Sequence, residues 1–159
     1  MNRRSLFQIA SSSAFALALG ARFVRAEENF EITKSAEEWR KILTPEQFAT
    51  LREEATEATY SSALLEEKRK GTYNCAGCTL ALYSSDMKYD SGTGWPSFFD
   101  HLPDAIGKKE DNGLFVARTE VHCRRCGGHL GHVFDDGPQP TGLRYCMNGV
   151  ALKFAAMAV

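Results

Sequence analysis

Four of the five cysteines form two pairs, Cys75-Ala-Gly-Cys78 and Cys123-Arg-Arg-Cys126, and the fifth, Cys146, stands alone. Two such pairs can give four sulfurs to one tetrahedral metal, and zinc is the ion a closed thiolate site most often holds. The competing reading is two disulfides plus one free thiol. Four sulfurs leave no open coordination position, so the expected zinc is structural, one per chain, and takes no part in chemistry. That leaves the Cys146 thiol without a structural duty. It lies in Arg144-Tyr145-Cys146-Met147-Asn148, and two further segments are equally hard to explain by packing: Gly94-Trp95-Pro96-Ser97-Phe98 and His129-Leu130-Gly131-His132-Val133-Phe134. Together they offer a thiol, two imidazoles, an indole, a guanidinium and an amide, a set that permits nucleophilic thiol catalysis. The H-x-x-H spacing lacks the glutamate of a metalloprotease helix. A core cysteine, core histidines and a core tryptophan are the alternatives in which these residues only pack.

These groups must be positioned by short elements. Two helices open the domain: Ser35-Ala-Glu-Glu38 reads as a capping box, and Thr44-Pro45-Glu-Gln47 repeats it with proline at the first helical position. The second helix is expected over roughly 45–58, with Phe48 and Leu51 on its apolar side. From Gly71 onward, aromatic and β-branched runs are broken by Gly, Pro, Asn and Asp, as in 71–74, 80–83, 114–121 and 151–154. Such runs predict antiparallel strands. Each C-x-x-C then falls on a tight turn at a strand end, with 44 residues between Cys78 and Cys123. Closing so long a loop is entropically unfavourable, whereas a structural zinc site contributes roughly 10–16 kcal/mol in small domains. The metal is therefore expected to be a folding staple.

Taken in order, Cys75/Cys78, Gly-Trp-Pro-Ser-Phe at 94–98, His-Leu-Gly-His-Val-Phe at 129–134 and Arg-Tyr-Cys-Met-Asn at 144–148 resemble the methionine sulfoxide reductase B family. The likeness covers about residues 35–156. It implies a mostly β fold of two small antiparallel sheets with N-terminal helices, stapled by a four-cysteine zinc site away from the reaction centre. It also implies reduction of the R epimer of methionine sulfoxide, free or in proteins, and so repair of oxidised proteins.

On that resemblance Cys146 attacks the sulfoxide sulfur, releases methionine and becomes a sulfenic acid. A free thiol is only about 3% ionised at neutral pH, and a two-unit fall in its pKa nets roughly threefold once lost nucleophilicity is counted. A positioned acid on the departing oxygen contributes about 10²–10⁴-fold, so the histidines matter more. His129 and His132 are the candidates, and either could be the donor. Trp95 is expected to wall the S-methyl group, Arg144 to favour the thiolate from the same strand face, and Asn148 to orient a histidine or the substrate. Many relatives have a resolving cysteine where this chain has Thr93. The expected cycle therefore uses one cysteine and an external thiol reductant, thioredoxin-like or small. The rival classes are a non-catalytic zinc-stapled β recognition module and a thiol–disulfide oxidoreductase, although no βαβ pattern surrounds either C-x-x-C.

Residues 1–26 read as a segment apart from the domain at 27–159. A basic start with adjacent Arg3 and Arg4, an apolar run diluted by Ser11–Ser13, and Val24-Arg25-Ala26 resemble a twin-arginine export signal. Periplasmic residence is the expectation, and a retained membrane anchor is disfavoured because the apolar run is short. Loss of this segment removes four of the 19 basic residues and none of the 20 acidic ones, for a net charge of −5. That balance argues against a nucleic-acid partner. A monomer is expected.

Overall fold

The computed structural model describes residues 29–113 and 117–158; the proposed export signal and Leu114–Val116 lie outside them. Both N-terminal helices form as their caps dictate. Helix α1 spans Ala36–Ile42 and α2 spans Pro45–Glu53, and each has a reciprocal capping box, Ser35 with Glu38 and Thr44 with Gln47. Trp39, Phe48 and Leu51 are buried. Helix α2 stops short of the expected residue 58, at Glu54 with φ 57. Beyond Leu51 the sequence supplies no large apolar side chain to bury, and tertiary packing is what sustains most short helices. The freed stretch from Ala55 to Tyr60 runs instead to the loop at Gly94 and Trp95, which it bonds through Tyr60 N–H and the Glu57 carbonyl.

The body is two antiparallel sheets. Strands β1 (Gly71–Cys75), β2 (Ala81–Ser84) and β9 (Leu152–Ala156) form one, in the order β2-β1-β9. The other contains β3 (Lys88–Tyr89), β4 (Ser97–Phe98), β5 (Ile106–Asp111), β6 (Arg118–Cys123), β7 (His129–Phe134) and β8 (Arg144–Met147). Its order is β3-β4-β8-β7-β6-β5.

An aromatic core joins the sheets. Tyr83 stacks on Phe98 with centroids 4.3 Å apart, Tyr73 meets the same ring edge-on at 5.0 Å, and the Tyr83 hydroxyl donates to Met147 Sδ at 3.0 Å. Pairs of this kind contribute about 0.5–1.5 kcal/mol each beyond the area they bury. The alternation along β8 sets the division of labour: Tyr145 and Met147 are buried, so Arg144 and Cys146 point to the opposite face. Core packing thus turns the lone thiol outward.

Candidate active site

One cross-strand row carries Cys146 and His132. The register pairs Tyr89 with Ser97, Ser97 with Cys146, Cys146 with His132, His132 with Glu120, and Glu120 with Lys109. Directly opposed residues of antiparallel strands share a face. Six strands therefore each deliver one side chain to a single line, with the thiol at its middle.

The two histidines reach the same side through a defect in the ladder. In a regular strand, residues three apart face opposite ways. Here Val121 pairs with Gly131 while His122 pairs with His129, leaving Leu130 as an extra residue on β7. A bulge of this sort re-aims the neighbouring side chains, and the His129 and His132 rings lie 5.4 Å apart. Gly131 makes the approach possible, since a Cβ there would come within 2.1 Å of the Cys146 carbonyl oxygen.

Each imidazole rests on a carboxylate. His129 is buried, and its Nδ1 is 2.9 Å from Glu120 Oε1. Burial works against ionisation of Glu120, but hydrogen bonds from His129 and Lys109 outweigh it and hold the carboxyl below its usual range. His132 is more accessible, and its Nε2 is 2.8 Å from Asp111 Oδ2. Burial lowers the His132 pKa, partly opposed by Asp111. Asp111 is itself lowered by His132 and by Arg118, which bonds it at 2.7 Å. His129 Nε2 and the Tyr89 hydroxyl are buried and have no hydrogen-bond partner. Such orphans beside a reactive group are commonly filled by a ligand or ordered water.

Two of the expected site residues have firm partners of their own. Arg144 does lie on the face of Cys146, but its guanidinium grips Asp136 through two 2.8 Å bonds and stacks over Phe134 at 4.4 Å. Asp136 is the larger influence on this guanidinium, with Cys146 also within electrostatic reach. Asn148 touches neither histidine: its Nδ2 donates to the Leu130 carbonyl at 3.1 Å, and its Oδ1 accepts from Glu57 N–H at 3.0 Å. Its backbone N–H also donates to Leu130 O. Asn148 therefore clamps the bulge that aligns the histidines. Trp95 is half-buried, with its indole N–H on the Glu57 carbonyl at 3.2 Å, and lines a cleft of about 500 Å³ with Tyr60, Lys88, Tyr89 and Pro96.

Several contributors carried no recognisable signal in the sequence. Glu57 accepts the Gly149 and Val150 amides at 2.5 and 3.0 Å, which fastens the turn after β8. Tyr60 holds the loop before Trp95 through its hydroxyl to Gly92 O and its N–H to Gly94 O, both at 2.8 Å. Glu120 and Asp111 carry no motif of their own; their hydrogen bonds to His129 and His132 in the folded sheet distinguish them.

The four paired cysteines gather elsewhere. Cys75 closes β1 and Cys123 closes β6, so each sheet contributes one C-x-x-C turn. All four Sγ atoms lie within 4.8 Å of one another, with Cys75–Cys126 at 3.8 Å and Cys78–Cys123 at 3.4 Å. A tetrahedron with metal–sulfur bonds of about 2.3 Å has edges of about 3.8 Å, so the cluster fits a metal of that kind. Hydrogen bonding to Cys123 pushes the Cys75 thiol up and pulls Cys126 down. Sulfurs so crowded need a cation to be ionised together. Arg52 adds one from outside: it reaches Cys126 O at 2.9 Å and Cys126 Sγ at 3.4 Å, while stacking over Trp39 at 4.3 Å. Helix α2 thus touches the sulfur cluster as well as packing on the core. His122 is buried against Phe30 outside the tetrad. His101 is half-buried edge-on to Tyr145.

The SelR domain family matches residues 43–156. The chain is 54% identical over 127 residues to the peptide methionine sulfoxide reductase MsrB of Leptospira interrogans, covering 79% of this chain and 97% of that protein. It is 56% identical over 124 residues to MsrB of Methanosarcina barkeri, covering 77% and 87%. It is 46% identical over 133 residues to the chloroplastic peptide methionine sulfoxide reductase B1 of Arabidopsis thaliana, covering 83% and 66%. Matches of this extent, on a chain that pairs its lone thiol with His132 and sets His129 beside it, place it in the SelR family, that of the MsrB peptide methionine sulfoxide reductases.

Proposed function

We propose that this protein reduces methionine-R-sulfoxide, free or within oxidised polypeptides, with Cys146 as nucleophile and His132 as proton donor. The observation that carries this reading is the pairing of Cys146 with His132 across adjacent strands on the outward face of the sheet. His132 is the more accessible imidazole, and its Nδ1 makes no hydrogen bond among the described residues. His129, buried behind it on Glu120, holds its ring in place.

The step balances as a two-electron exchange. The Cys146 thiolate attacks the sulfoxide sulfur, and His132 delivers a proton to the oxygen. The attack forms an S–S bond to the substrate sulfur. The substrate S–O bond then breaks, the hydroxyl passes to Cys146 Sγ and the S–S bond breaks, leaving methionine and Cys146 sulfenic acid. An external thiol then displaces water to give a mixed disulfide, and a second thiol releases Cys146 as the first pair leaves oxidised. Thr93 supports this one-cysteine cycle, since it offers no sulfur near Cys146.

Cys75, Cys78, Cys123 and Cys126 would hold one zinc ion, which when bound cross-links the two sheets. Residues 1–26 would direct the chain to the periplasm, where a thioredoxin-like or small-thiol reductant would be needed. Separate assays on the two methionine sulfoxide epimers test the central reading. Turnover of the R epimer alone, lost in Cys146→Ser, supports it; equal turnover of both, or a fully active Cys146→Ser variant, would overturn it.

A further inference from the structure

Three hydroxyls form an unbroken chain ending at the reactive sulfur. Ser97 Oγ lies 3.1 Å from the Trp95 carbonyl, Ser91 Oγ lies 2.7 Å from Ser97 Oγ, and Thr93 Oγ1 lies 2.9 Å from Ser91 Oγ. Thr93 Oγ1 is in turn 3.8 Å from Cys146 Sγ, within hydrogen-bond range for sulfur. Both ends are anchored. Ser97 is fully buried and is the register partner of Cys146. The Thr93 loop is pinned from outside by the Thr59 hydroxyl on Thr93 O at 3.2 Å and by the two Tyr60 bonds to Gly92 and Gly94. A Cβ at Gly94, whose φ is +86, would come within 2.1 Å of Thr59 Oγ1, so the loop sits there only because that residue is glycine.

Each hydroxyl has one proton and can also accept, so the chain has two consistent directions. With Cys146 as a thiol, S–H donates to Thr93, Thr93 to Ser91, Ser91 to Ser97, and Ser97 to the Trp95 carbonyl. With Cys146 as a thiolate, the order reverses: Ser97 donates to Ser91, Ser91 to Thr93, and Thr93 to the sulfur. We infer that Thr93, Ser91 and Ser97 are a reversible hydroxyl relay that holds the Cys146 thiolate ready for attack, with Thr93 in contact with the sulfur and the two serines acting through it. A donor to an anion is stronger than one between neutral groups, and aligned chains reinforce one another. Thr93 therefore does more than leave out a second thiol.

The inference rests on Cys146 being the nucleophile, so the test reads the sulfur itself and not turnover. The rate of alkylation at Cys146, followed by peptide mass in the metal-loaded protein, is measured at neutral pH and divided by its rate at alkaline pH. That ratio reports ionisation and cancels intrinsic nucleophilicity. Arg144, His132 and Tyr89, the other polar groups facing this sulfur, are unchanged in every variant. Thr93→Val should lower the ratio about tenfold, Ser91→Ala about twofold, and Thr93→Ser should restore the wild-type value. A wild-type ratio in folded, metal-loaded Thr93→Val would overturn the relay. So would a Thr93→Ser ratio as low as that of valine, which would assign the effect to loop shape. Failure of the relay leaves wild-type reductase activity in place, whereas failure of the catalytic reading appears as activity surviving Cys146→Ser.

Discussion

The sulfur tetrad and the Cys146 row use the same element in opposite settings. Cys75, Cys78, Cys123 and Cys126 are buried, crowded onto one another, and attended by the Arg52 guanidinium. Cys146 is partly exposed, touches no other sulfur among the described residues, and stands between a hydroxyl chain and an imidazole. Burial and mutual ligation make a thiolate inert, and access with polar neighbours makes one useful. Both settings are made by strand ends and strand faces, so the fold decides which cysteine is accessible and which are enclosed.

The largest effect that would break this contrast comes from exchanging the two kinds of cysteine. Cys146→Ser is expected to lose at least about 10³-fold in sulfoxide reduction while retaining metal and thermal stability. Cys123→Ser should do the reverse, losing metal and most of the cooperative unfolding transition by calorimetry, because the link between the sheets goes with it. If both variants unfolded alike, or both stayed active, the two regions would not be separable as described.

Next in size is the acid. His132→Ala should lower kcat by about 10²–10³-fold with a smaller change in KM, read by steady-state kinetics. The pH dependence sharpens the assignment. Donation needs protonated His132, and burial lowers its pKa. Activity supported by that proton therefore falls as pH rises through a value below the ordinary 6.5. Asp111 raises the pKa, so Asp111→Asn should move the decline in kcat/KM to lower pH. A shift to higher pH would contradict the arrangement.

Smaller again is the clamp on the bulge. Asn148→Ala leaves the Leu130 carbonyl with only its backbone partner and orphans the Glu57 amide. A cost of about 1–3 kcal/mol in stability is expected from denaturant unfolding, together with reduced kcat as the histidines lose their alignment. Unaltered unfolding would show that the amide serves the substrate.

What the sequence revealed followed from short-range rules. The capping boxes at Ser35 and Thr44, the strand alternation and the C-x-x-C turns are local patterns, and each appears where residue chemistry put it. The end of α2 was less legible, because a left-handed residue such as Glu54 has no strong signature. The site was legible as residue types and illegible as contacts. Nothing near Arg144 in the chain announces that Asp136 answers its charge, and nothing near Asn148 points to Leu130, 18 residues earlier. The bulge that brings His129 beside His132 exists only in the pairing of β6 with β7. Glu57 and Arg52 were hidden for the same reason, since their partners lie 92 and 74 residues away.

A single-turnover reaction without reductant tests the central claim most directly. Metal-loaded protein is mixed with excess methionine-R-sulfoxide, and methionine, bound metal and modified cysteines are counted together. The account predicts one methionine per chain, one added oxygen on Cys146 and full retention of metal. A disulfide to Cys146 in place of the added oxygen, or metal released from the tetrad, would contradict it.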